Sequence, residues 1–114
     1  MNLQTIIDNL QLKTLTNPVD FSAINPGLGY TSDLLSCVMA GAANQGIWVT
    51  LQAHLNIVAV AALLDLGAVI ITEGATPDEA TIAKANEEGI TLLSTQASSF
   101  EVVGKLWEMG IRAQ

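Results

Sequence analysis

Short apolar runs, each introduced by a glycine and followed by a polar stretch, set the pattern of this chain. Gly46, Gly67, Gly89 and Gly110 recur every 21 or 22 residues, and the first three lead into Ile47-Trp48-Val49, Ala68-Val69-Ile70-Ile71 and Ile90-Thr91-Leu92-Leu93. Such partly β-branched runs suit strands of a parallel sheet covered on both faces. Each run then meets a polar loop and a helical pattern that stops at the next glycine. Three β-α units in series are expected.

The helix boundaries are marked chemically. Thr76-Pro77-Asp78-Glu79 reads as a capping box with proline at the first helical position, and Ser98-Ser99-Phe100-Glu101 repeats the arrangement one unit later. Gly67, Gly89 and Gly110 each follow a helix, where glycine enters the left-handed conformation without steric cost. The segment Leu55 to Leu64 is apolar nearly all round, which predicts a central helix or one in a subunit interface. Its less hydrophobic face carries Val58, Ala61, Ala62 and Asp65, the candidate face for a partner. Pro77 to Glu88 is strongly polar, with Ile82 and alanines as its inward stripe. In the last helix Phe100, Val103, Leu106 and Trp107 form one apolar stripe.

The first third is less regular. Leu3, Ile6, Ile7 and Leu10 predict a short amphipathic helix ending near Gln11. Residues 12 to 30, with Pro18, Pro26, Gly27 and Gly29, read as short strands joined by turns. Thr31-Ser32-Asp33 caps a helix from Leu34 to Met39, and Gly41 to Gly46 is a loop. The expected architecture is α/β in three layers: a mostly parallel sheet of about three β-α units, after an irregular N-terminal helix and strand segment. No linker divides the chain, so residues 1–114 are expected to form a single domain.

Composition sharpens this picture in two ways. Half the residues are apolar and only 13% are charged, against roughly 25% in typical soluble domains. Burial against a second copy would explain so poorly charged a surface, so a homodimer is expected. The formal net charge of −7, with Lys13, Lys84, Lys105 and Arg112 scattered among eleven acids, argues against nucleic acid and against an anionic membrane surface. The longest apolar run falls short of the roughly 20 residues a spanning helix requires. Met1-Asn2-Leu3-Gln4 shows no basic export region, so a cytoplasmic location is expected. The single Cys37 excludes an intrachain disulfide and is expected to be buried in its apolar stretch.

In open α/β sheets ligands sit beyond the carboxyl ends of the strands. The first β-α unit brings Thr50, Gln52, His54 and Asn56 to that edge; the second brings Thr72 and Glu73; the third brings Ser94 and Thr95, followed by Gln96, Ser98 and Ser99. Two readings fit these side chains: caps and loop hydrogen bonds, or contacts to a small polar or anionic ligand. The candidate ligand-binding set is Thr50, Gln52, His54, Asn56, Thr72, Glu73, Ser94 and Thr95. An enzyme using His54 with Glu73 is a third alternative, which requires the two to share a cleft. Asp33 reads as a first-turn acid favoured by the helix dipole. One histidine and one cysteine without paired spacing give no metal site. No phosphate-cradling glycine loop is present, since Gly41 to Gly46 precedes a strand. No catalytic residue and no cofactor is expected.

The stretches Gly29-Tyr30-Thr31-Ser32-Asp33-Leu34-Leu35-Ser36, Thr50-Leu51-Gln52-Ala53-His54-Leu55-Asn56-Ile57-Val58-Ala59-Val60-Ala61, Ile71-Thr72-Glu73-Gly74 and Leu93-Ser94-Thr95 resemble a DRTGG domain over nearly the whole chain. The namesake motif should fall near Asn25-Pro26-Gly27-Leu28-Gly29, which keeps little of it, so no role is carried onto these residues. The resemblance implies a fold similar to the N-terminal domain of HPr kinase. DRTGG domains occur in some phosphotransacetylases, between the CBS domains of certain inorganic pyrophosphatases, and as stand-alone proteins, some beside iron hydrogenase genes. They are associated with regulation and dimer contacts. The expectation is therefore a non-catalytic regulatory or accessory module, homodimeric, sensing a small polar or nucleotide ligand. The resemblance also implies a protein partner in a redox or hydrogenase-related system.

Overall fold

The computed structural model describes residues 1–114. In chain order the elements are α1 (Leu3–Leu10), β1 (Lys13–Thr14), a 3-10 turn (Phe21–Ala23), β2 (Gly29–Thr31), α2 (Leu35–Gly41), β3 (Ile47–Thr50), α3 (Asn56–Leu64), β4 (Ala68–Ile71), α4 (Glu79–Glu88), β5 (Leu92–Ser94) and α5 (Ser99–Glu108). The five strands form one sheet in the order β1-β5-β4-β3-β2. β2, β3, β4 and β5 run parallel, and only β1, which pairs with β5 through Lys13 to Ser94 and Thr14 to Leu93, is antiparallel.

The strands alternate their side chains between two cores. Ile47, Val49, Ala68, Ile70 and Leu93 point to one face, where they meet Leu3, Ile6 and Ile7 of α1 and Val102 and Leu106 of α5. Trp48, Val69, Ile71 and Leu92 point to the other, against Val38 of α2, Ile57, Val58 and Ala61 of α3, and Ala85 of α4. Both faces of the sheet are covered, which explains why the strands read as continuous apolar runs. Burying each such Ile, Leu or Val side chain stabilises the fold by roughly 1.5–3 kcal/mol. The three-layer α/β architecture is as expected, with α3 lying between α2 and α4 on its face.

Several local expectations are corrected. α4 begins at Glu79, two residues later than the Thr76-Pro77 reading, because Asp78 accepts from the Thr81 amide and is the cap. β5 starts at Leu92 instead of Ile90. α2 starts at Leu35 with no side-chain cap, so neither Thr31 nor Asp33 caps it. Ser32 accepts from the Leu34 amide in the turn before it. Cys37 is exposed, since only Val38 of α2 is fully covered. Phe100 and Trp107 are 91% and 52% exposed, so α5 has two apolar stripes, and the one that is buried runs through Val102 and Leu106. On α3, Val58 and Ala61 are buried within the chain's own core, and the outward stripe is instead Leu55, Ala59 and Leu63.

Glycine acts in two distinct ways. Gly89 takes the left-handed conformation that closes α4, at φ 70°. At the end of α3 that conformation belongs to Asp65, at φ 51°, and Gly67 has a different task. A Cβ on Gly67 would stand 2.6 Å from the Gln45 carbonyl oxygen, beside the Gly67 N–H bond to the Gly46 carbonyl that aligns β4 with β3.

Candidate functional site

The carboxyl edge of the sheet holds the eight expected side chains in three groups. The first surrounds Asp33. Its carboxylate accepts from the buried Thr50 hydroxyl at 2.7 Å and from the Leu51 amide at 2.9 Å, and its carbonyl accepts from Gln52 Nε2 at 3.2 Å. The Thr50 hydroxyl in turn accepts from the Gln52 amide. Trp48, fully buried, donates its ring N–H to the Ser32 carbonyl at 2.9 Å, which pins the same turn from below. His54 turns back on its own segment, with Nδ1 accepting from the Asn56 amide at the start of α3.

The second group ties β4 to α5. The Thr72 hydroxyl, buried, bonds to the Ser99 hydroxyl and to the Thr50 carbonyl. Glu73 accepts from the Ser99 amide at 2.9 Å through its carboxylate, so it serves as a second cap of α5 beside Ser98, which accepts from the Glu101 amide. Glu73 holds φ 62° and is followed by Gly74 at φ 72°. For a residue with a Cβ that conformation costs roughly 1–2 kcal/mol. No hydrogen bond or ion pair joins Glu73 to His54. The charged neighbour His54 influences is Asp78, whose carboxyl is held below its ordinary pKa mainly by the Thr81 amide and hydroxyl, with a smaller contribution from His54.

The third group borders a cavity. Ser94 and Thr95 line a space of about 480 Å³ between the β1–β5 edge, the Gly74–Pro77 loop and the first turns of α5, and Lys13, Lys105, Gln96 and Thr76 line it with them. Sequence pattern identified Ser94 and Thr95 but neither lysine. Lys13 reaches this edge only because β1 pairs with β5. Lys105 arrives from α5, where it also meets Glu101 at 3.1 Å. A second, mostly apolar cavity of about 300 Å³ lies between β2 and the end of α5, where Arg112 stacks over Trp107 at 4.5 Å. Histidine, cysteine and carboxylate side chains nowhere assemble in a group of three or more that could hold a metal ion. No helix is long and apolar enough to cross a membrane.

No protein-family model and no curated protein matches the chain. Among solved structures it is similar to the crystal structure of the CBS and DRTGG domains of the regulatory region of Clostridium perfringens pyrophosphatase, complexed with the activator diadenosine tetraphosphate. The TM-score is 0.74 at 22% sequence identity, over 90% of this chain and 44% of that one. The chain thus spans less than half the length of its structural neighbour, and at this identity the likeness concerns fold alone. Together with the five-stranded, mostly parallel sheet covered on both faces, it shows that this chain has a DRTGG-like α/β fold.

Proposed function

We propose that residues 1–114 act as one DRTGG-like regulatory or accessory module, without chemistry of its own, that responds to a small polar or nucleotide ligand. The observation that carries this reading is the engagement of the carboxyl-edge side chains. Asp33, Thr50, Thr72, Glu73 and His54 bond to backbone groups or to each other. These contacts give the edge a structural task, and His54 and Glu73, the acid–base pair it offers, share no hydrogen bond. Ser94 and Thr95 are the members of the expected set that border a sizeable cavity, so the ligand is assigned to their end of the sheet. The nucleotide class draws support from the neighbour, whose regulatory region is complexed with diadenosine tetraphosphate.

The module is further proposed to work as a homodimer. Leu55, Ala59 and Leu63 stand one helical turn apart on the outer face of α3, and Leu34 and Met39, at and beyond the start of α2, are also exposed. Exposed apolar side chains grouped on one helix face mark association sites, and Leu55, Ala59 and Leu63 bring no charge for a second copy to bury. A cytoplasmic location accords with the exposed, unpaired Cys37, which suits a reducing compartment. A redox or hydrogenase-related partner rests on the family resemblance.

Two measurements test the reading. Light scattering should give twice the chain mass, and Leu63→Glu should give the single-chain mass with an unchanged circular dichroism spectrum. Thermal melts with AMP, ATP and diadenosine tetraphosphate should show stabilisation by at least one of them. A monomeric wild-type chain removes the dimer; a melting temperature indifferent to all three nucleotides removes nucleotide sensing.

A further inference from the structure

We propose that the cavity between the β1–β5 edge and α5 is an oxyanion site that takes the phosphoryl group of a small metabolite, with Lys13 and Lys105 as its cationic ligands. This rests on the regulatory reading for its purpose and on its own geometry for its chemistry. The chain has only four lysines and arginines against eleven acids, yet two of the four line this one space, and only one acid, Glu101, lines it with them. The other two cations are occupied elsewhere. Lys84 meets Glu87 and Glu88 on α4, and Arg112 lies over the Trp107 ring and donates to the Trp107 carbonyl. Lys13 forms no ion pair at all.

The remaining lining completes a phosphoryl-binding chemistry. Ser94 and Thr95 supply hydroxyls, the latter accepting from the Ala97 amide and so keeping its own proton to give, and Gln96 supplies an amide, groups that donate to phosphate oxygens while the ammonium groups offset charge. The volume of about 480 Å³ lies within the 300–1,000 Å³ typical of small-molecule sites and exceeds what a bare phosphate needs, so the phosphoryl group is expected to carry an organic body. Elsewhere the field of an acidic chain repels anions, which makes this the place where one is tolerated. Glu101 sets the strength of the site, because its carboxylate competes with the ligand for Lys105 across 3.1 Å.

Calorimetry on the full chain at low ionic strength, with orthophosphate and AMP as probes, tests the site. The wild type should bind AMP saturably below about 1 mM. Lys13→Gln and Lys105→Gln should each weaken binding about tenfold, and Glu101→Gln should strengthen it. All three residues are exposed, and circular dichroism verifies that each variant folds. Orthophosphate binding that is lost in both lysine variants, with no added affinity for AMP, supports the site while removing the nucleotide reading of the proposed function. Affinities unaltered in the lysine variants overturn the site while leaving nucleotide sensing in place. A wild type that binds neither probe overturns it as well.

Discussion

Asp33 illustrates how a side chain with an ordinary local reading acquires a distant role. Next to a helix start it reads as a first-turn acid, but its carboxylate instead crosses to β3 and satisfies the Thr50 hydroxyl and the Leu51 amide. No local pattern reveals a partner so far along the chain, whereas Thr50 itself was legible because a polar residue ends an apolar run. Asp33→Ala should destabilise the fold by about 1–3 kcal/mol, the cost of stranding a buried hydroxyl. Urea denaturation checks this, and adding Thr50→Val should recover part of the loss by removing the stranded donor. Asp78 makes a second prediction. The Thr81 amide and hydroxyl hold its carboxyl below the ordinary value, so the folded chain binds that proton more weakly than the unfolded chain. The stabilisation is then fully present above the unfolded pKa of about 4 and fades as pH falls through the lower folded value. Asparagine caps comparably without titrating. Asp78→Asn should therefore melt with the wild type near neutrality and lose less stability below about pH 4 in thermal scans.

Among the elements, those with a strong period were legible and those set by a single contact were not. β3 and β4 appear where continuous apolar runs place them, and α1 ends at Leu10 with Gln11 as its left-handed cap, as the spacing predicts. The start of α4 shifts to Asp78 because two adjacent segments, Thr76-Pro77 and Asp78-Glu79, both carry capping chemistry, and the Asp78 carboxylate is the one that reaches the Thr81 amide. α5 was misread for a different reason: Phe100, Val103, Leu106 and Trp107 share helical spacing, and spacing alone does not say which flank of a wide stripe faces the sheet. The near-regular glycines also conceal two requirements. Gly89 needs a positive φ with open space around it, while Gly67 needs the absence of a Cβ beside the Gln45 carbonyl. Gly89→Asn should therefore be tolerated, since asparagine enters the left-handed region. Gly67→Ala should cost about 1–3 kcal/mol by forcing β3 and β4 apart. Paired thermal melts separate the two, and equal losses would contradict the distinction.

At the scale of the molecule, the parallel core was readable from its repeats, but the pairing of β1 with β5 was not, because two residues carry no periodic signal. The cationic side of the candidate site was hidden with it, since Lys13 joins Ser94 only through that pairing. The same strand constrains the order of events during synthesis. Lys13 and Thr14 leave the ribosome well before their partners Ser94 and Leu93, and α1 likewise waits for α5. Until then Leu3, Ile6 and Ile7, which are buried in the finished fold, have no helix beside them, and β4 presents an unpaired edge open to other chains. Nascent chains halted before Leu92 should thus recruit holding chaperones and aggregate on release. Chains extended so that all of α5 clears the exit tunnel should register a pulling force on an arrest peptide, as the first strand of this sheet to be translated becomes the last to find its neighbour.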